Sequence, residues 1–190
     1  MKNRDLLIAA VGIGVLIFLA MGYYKTSSHE SVPGENKYRL ANKYLEDGKN
    51  EEALTIFNEA LALNREYQPA FLGKAITLVQ LERYDESREM FDQALALDKE
   101  FAEAYANRGI LNDRTGNFEK AAEDYRTAIS LKPKLAKGPG RLWKFLHNVS
   151  GKVPTIADRA DYIEEQLKKP EEERLLRVPG IDARQRMYKK

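Results

Sequence analysis

Apolar and polar residues alternate along this 190-residue chain in three distinct ways. Residues 6–24 run for 19 positions without a charge. Across 34–135 apolar residues recur at spacings of three and four, the period of an amphipathic helix. There the whole pattern returns every 34 residues. Small residues coincide at Ala41, Ala75 and Gly109, and again at Ala53, Ser87 and Ala121. Aromatic residues coincide at Phe57, Phe91 and Tyr125, alanine at Ala60, Ala94 and Ala128, and aliphatic residues at Leu61, Leu95 and Ile129 and at Leu63, Leu97 and Leu131. A period of this length signals a helical solenoid. The spacing predicts six helices, over 35–47, 51–64, 69–81, 85–98, 103–115 and 119–132. Gly48 and Gly116 stand just past a first helix, where positive φ closes the carbonyl end. Pro69 opens a helix where its missing N–H costs nothing. The small positions mark where paired helices cross, and the aromatics fill the wedge between units. Each unit buries its core only through its neighbours, so an array of three needs a cap.

The uncharged run 6–24 is near the roughly 20 residues that span a bilayer as a helix. Tyr23 and Tyr24 stand at its end, where amphipathic rings favour the headgroup zone. A span over 1–24 predicts an uncleaved anchor; Ala20-Met21-Gly22 leaves cleavage of a signal peptide as the alternative. Ala10 and Gly14 form a small-xxx-small pair that would let two such helices approach, and filler is the plainer reading of them. Lys2, Arg4 and the terminal amine precede the run, and Lys25 alone follows closely. That asymmetry predicts a cytoplasmic N-terminus with the repeats on the extracytoplasmic side. Residues 25–33 read as a polar linker.

Beyond the repeats, Leu142, Trp143, Phe145, Leu146 and Val149 form one apolar helical face. It predicts a cap on the last unit, with an exposed partner-binding patch as the alternative. Thr155 and Asp158 have the spacing of a capping box, opening a helix to about residue 169 with Ile156, Ala160, Ile163 and Leu167 on one stripe. Capping helices are therefore expected over 136–169. Over 170–190, Pro170 begins a short helix, with Glu171–Glu173 near its positive end and Arg174 and Arg177 near its negative end. A basic tail follows, open to an acidic partner, to anionic lipid or simply to solvent.

Composition narrows the chemistry. The net charge is +2, so nothing global argues for nucleic acid. The absence of cysteine excludes disulfides and thiolate chemistry. No phosphate-binding loop, HExxH or nucleophile elbow is present. His29 and His147 are isolated from each other in the sequence, and the acid pairs fall at helix starts. No catalytic residue, cofactor or metal site is expected.

The 34-residue units resemble tetratricopeptide repeats, over 34–67, 68–101 and 102–135. The third is nearest the family pattern, with Tyr105, Gly109, Phe118, Ala121, Tyr125, Ala128 and Pro133. The resemblance implies an all-α, right-handed α-solenoid of three helix-turn-helix repeats that binds other proteins. It also implies a concave groove lined by the first helix of each repeat. Carried over by register, the groove would present Glu35, Tyr38, Asn42, Leu45 and Glu46, then Pro69, Leu72, Ile76, Val79 and Gln80, then Glu103, Ala106, Ile110, Asp113 and Arg114. One branch of the family clamps a chaperone's terminal carboxylate. Here those places hold Tyr38, Asn42, Gly73, Glu103 and Asn107, of which only Asn42 agrees. The groove centre, with Tyr38, Leu45, Leu72, Ile76, Val79 and Ile110, is instead expected to take an amphipathic helix or apolar peptide of a partner. The chain's own C-terminal segment is the alternative occupant.

Overall fold

A computed structural model describes residues 13–18, 21, 32–137 and 154–177. The chain divides into two units, Met1–Val32 and Pro33–Lys190. In the first, residues 13–18 and 21 are helical and exposed. Among the described residues no helix is long and apolar enough to cross a membrane. The remainder of the expected span lies outside them.

The second unit carries the repeats. Six helices follow one another: α1 (Glu35–Glu46), α2 (Asn50–Leu63), α3 (Gln68–Gln80), α4 (Tyr84–Leu97), α5 (Ala102–Arg114) and α6 (Phe118–Leu131). A 3₁₀ turn (Pro133–Ala136) and a further helix, α7 (Ile156–Leu167), complete the regular structure with a second 3₁₀ turn (Glu171–Glu173). No strand occurs among the described residues. Each of the six repeat helices ends one residue sooner than the spacing predicts. At two of those ends the reason is local: Asn64 and Asp98 leave the helix in extended conformation, and their side-chain oxygens accept from the amides of Glu66 (3.0 Å) and Glu100 (2.8 Å). Short polar side chains at such positions compete with the helix for backbone donors.

Within each repeat the two helices are joined by the same tight loop. Gly48, Glu82 and Gly116, spaced by the repeat, take φ of 74°, 59° and 83°. In each the left-handed residue donates to the carbonyl three back, and the following amide reaches the carbonyl five back. The chain thereby reverses in three residues, and the paired helices lie against each other. Successive repeats stack, and the first helices also touch in sequence, α1 on α3 and α3 on α5.

The core follows the 34-residue register. Phe57, Phe91 and Tyr125 are fully buried, as are Ala41, Ala53, Ala60, Ala75, Ala94, Ala121 and Ala128. A buried Phe of this kind stabilises the fold by about 1.5–3 kcal/mol. The ring in the third repeat sets its small position, since a Cβ on Gly109 would lie 2.7 Å from Tyr125 ring carbons; outside that register, a Cβ on Gly73 would lie 2.3 Å from Phe57. Ser87, where the other repeats have Ala, is tolerated because its hydroxyl donates to the Ala75 carbonyl at 2.9 Å. A buried hydroxyl satisfied in this way avoids its desolvation penalty.

The array is closed by α7. The capping box expected from sequence is present: Thr155 Oγ1 accepts from the Asp158 amide at 3.1 Å, and Asp158 accepts from the Thr155 amide at 3.0 Å. Ile156, Ala160 and Ile163 join Ala102, Ala106, Ile110, Tyr125 and Leu135 in one apolar cluster. On the outer side Arg126 of α6 pairs with Asp161 and, at 2.7 Å, with Glu164. The other expected capping face, around Trp143, lies outside the described residues. The helix expected after Pro170 differs. Only one 3₁₀ turn forms, and residues 174–177 run outside any helix. Arg174 does not serve that turn; it donates to the carbonyls of Lys169 (3.0 Å) and Leu167 (3.2 Å), capping α7 instead.

Candidate functional site

The predicted groove residues come together along α1, α3 and α5, but most of them face inward. Tyr38 and Asn42, one turn apart on α1, are half-buried. The Tyr38 ring lies 5.5 Å from Tyr67, edge-on, and 6.1 Å from Phe57. Burial pushes the Tyr38 phenol above its ordinary range, against a hydrogen bond with Asn42. Leu45 closes this end of the row and belongs to the main core cluster.

Further along, Leu72, Ile76, Val79 and Ile110 are only 1, 3, 1 and 1 % exposed. The first three share the core with Leu45, Ala75 and Leu111, and Ile110 is grouped with the apolar stripe of α7. The expectation of an apolar strip open to solvent therefore does not match their placement. In the third repeat Glu103 is buried and pairs with Lys132, and Asp113 is buried against Arg159. Arg114 is half-buried, and its carbonyl accepts from Arg177 at 3.0 Å. Tyr38, Asn42 and Arg114 remain partly accessible, with exposed Glu46 and Gln80 at the helix ends.

The places of the carboxylate clamp are committed otherwise. Gly73 lies under the Phe57 ring, and the Asn107 amide, fully buried, donates to the Glu103 carbonyl at 2.9 Å. Glu103 is buried and paired with Lys132, so none of these five places supplies a cationic grip on a carboxylate.

A feature missed from sequence lies between α4, α5 and α6. A cleft of about 290 Å³ is lined by Arg88, Asp92, Arg108, Asn112, Lys120, Glu123 and Asp124. Arg108 grips both oxygens of Asp124 (3.0 and 2.7 Å) and reaches Asp92 (2.8 Å); Asn112 adds a bond to Asp124 at 2.9 Å. Burial raises the Asp124 carboxyl above the ordinary aspartate value, opposed by Arg108 and Asn112. For Arg108, burial works against the charge, but Asp124 and Asp92 carry its pKa upward. One period earlier the places of Arg88, Asn112 and Asp124 hold Leu54, Leu78 and Met90, while the other four stay polar, with Lys74 in the place of Arg108. Burial there pulls Lys74 below the ordinary lysine value, with Glu86 opposing. The signal was available at three places, Arg88, Asn112 and Asp124, where the residue one period earlier is apolar. Among the described residues no cluster of His, Asp and Glu could hold a metal ion.

Comparison with known proteins bears on the repeats. Residues 35–67 and 72–136 each match a family model described as tetratricopeptide repeat. No curated protein matches the chain. Among solved structures, the chain is similar to the first TPR of Spaghetti (RPAP3) bound to the HSP90 peptide SRMEEVD. The TM-score is 0.58 at 18% identity, covering 72% of this chain and 94% of that one. It is also similar to the Yersinia enterocolitica type III secretion chaperone SycD in complex with a peptide of the translocator YopD (TM-score 0.55, 17% identity, 70% and 93% covered). A third is the Arabidopsis OM64 TPR domain (TM-score 0.51, 23% identity, 53% and 84% covered). At these identities the likeness is one of fold. Residues 35–67 and 72–136 of this chain are tetratricopeptide repeats.

Proposed function

We propose that this chain is a protein–protein interaction module, a scaffold or assembly adaptor, tethered to a membrane through residues 1–24 with its repeats on the extracytoplasmic side. The repeats hold a helix or extended segment of a partner polypeptide along the first helices. The observation that carries this reading is the alignment of α1, α3 and α5 side by side, with Tyr38, Asn42 and Arg114 left partly accessible along the row. Two of the similar folds were solved with peptides bound, which supports a polypeptide as ligand class. A chaperone tail ending in a carboxylate is disfavoured because Gly73 and Asn107 are committed to the core and Glu103 is paired with Lys132. The tether rests on the uncharged run 6–24 and the basic residues before it.

A photo-crosslinking amino acid placed at Asn42 in the full chain, irradiated in intact membranes, tests the reading. A discrete crosslinked polypeptide is expected at position 42 and not at Lys120, which is exposed on the second helix of the third repeat. Tyr38→Ala with Arg114→Ala should reduce it. Equal yields at both positions, or none at Asn42 in folded protein, would overturn the assignment.

A further inference from the structure

Within the segment Arg174–Arg177, the main chain of Leu175 and Leu176 is bonded by side chains of one helix. The Leu175 amide donates to Gln166 Oε1 at 2.9 Å, and the Leu175 carbonyl accepts from the Tyr162 hydroxyl at 2.6 Å. The Leu176 carbonyl accepts from Arg159 Nη2 at 2.8 Å. Residues 159, 162 and 166 lie on one face of α7, at helical spacings of three and four. The segment's side chains are received as well. Arg174 caps the carbonyl end of α7, and Leu176 packs on the cluster that holds Ile110 and Ile163. Arg177 bonds the Arg114 carbonyl, stands 5.5 Å from the Phe118 ring centre, and approaches the space that a Cβ on Gly116 would fill. Leu175, by contrast, points away and is 67% exposed.

A tail that only shields apolar surface would bury both leucines and leave its amides and carbonyls to water. This one half-buries Leu176 and leaves Leu175 exposed, while three of its main-chain groups, the Leu175 amide and the Leu175 and Leu176 carbonyls, are bonded by α7 side chains. Main-chain hydrogen bonds with pockets for selected side chains are the physics by which an extended peptide is held. The site also runs on from the first-helix row, since its far end is Arg114.

We propose that α7 and the carbonyl end of α5 form a peptide site for an extended Arg-x-Leu-Arg segment of a partner protein. Residues 174–177 occupy it in cis and compete with that partner. The tether from α7 to Arg174 is short, so the cis segment acts at an effective concentration on the order of millimolar. A partner segment must overcome that concentration, and weakening the cis contacts lowers the barrier directly.

The probe is a fluorescein-labelled synthetic peptide of residues 172–180 of this chain. It is titrated by anisotropy into the full-length protein and into full-length Leu176→Ala/Arg177→Ala, whose cis segment is weakened. The weakened variant should bind at least about ten-fold more tightly than wild type. Adding Tyr162→Phe and Gln166→Ala on α7 should abolish that gain. Equal affinity for the first two proteins, or no binding by a variant with wild-type helical circular dichroism, overturns the proposal. Should the variant lose helicity, hydrogen exchange of wild type decides. Excess probe must speed exchange of the Leu175 amide, and an unchanged rate overturns the proposal. The assay does not involve position 42, so its failure and failure of the groove reading are separate results.

Discussion

Glu82 occupies the left-handed place that Gly48 and Gly116 fill in the neighbouring repeats, with φ of 59°. A Cβ in that conformation costs roughly 1–2 kcal/mol, which glycine avoids. Glu82 is exposed and its side chain forms no ion pair among the described residues, so no such contact offsets the strain. Glu82→Gly is therefore expected to raise the free energy of unfolding by about 1 kcal/mol, measured by urea denaturation. Unchanged or lower stability would show that the loop relaxes around glutamate. The same triplet shows how far single residues were legible. Gly48 and Gly116 announce their loops through residue type. Glu82 reveals its backbone only through the register, because its side chain favours other conformations. Gly73 was likewise unreadable as a packing requirement: its meaning is the Phe57 ring beneath it, 16 positions away and in the preceding repeat.

At the scale of elements, the helices were legible to within a residue or two, because two periods reinforce each other. The spacing of three and four gives the helix, and the repeat of 34 gives its partners. What the period cannot show is a polar contact made once. Arg159 of α7 and Asp113 of α5 form such a contact, each only 2% exposed by side chain, with bonds of 2.7 Å to both carboxylate oxygens. Tyr125 also donates to Asp113 at 3.3 Å. Removing one member of a buried pair strands the other charge and costs about 3–5 kcal/mol, whereas replacing both by apolar groups is often near neutral. Arg159→Leu alone should accordingly lower unfolding free energy by about 3 kcal/mol. Arg159→Leu with Asp113→Leu should recover most of that loss. Additive losses in the double-mutant cycle would mean that the two residues act independently, and that the pair does not dock the cap. The charged cleft around Arg108 was hidden for the same reason: it arises from differences between repeats, and the repeat pattern reports their likeness.

Across the whole molecule, burial of the first-helix row was the part least legible. Register places Leu72, Ile76, Val79 and Ile110 on that row, but whether the row is open depends on what lies over it. The C-terminal segment has no repeat register from which its course could be read. For Ile110 the described cover is α7, grouped with it through Ile156, Ala160 and Ile163. A stack of this kind is stabilised by interfaces between neighbours, so loss of an end should propagate inward and fade. Burying the two isoleucines and one alanine of α7 is worth about 4 kcal/mol in apolar area, before the Arg159 pair is considered. A chain ending after residue 153 should then exchange its α5 and α6 amides roughly 10²–10³ times faster, with smaller changes in α1 and α2. Uniform acceleration in all six helices would mean that the three repeats open as a single unit; unchanged rates would mean that α7 rests on the array without holding it. A graded response is expected because α7 packs on α5, α6 and the turn after it, while α1 and α2 have their main contacts with each other and with α3. The end of the array nearest α7 would then be the part whose stability a ligand at the cap can raise, and the Tyr38 end would be largely insulated from it.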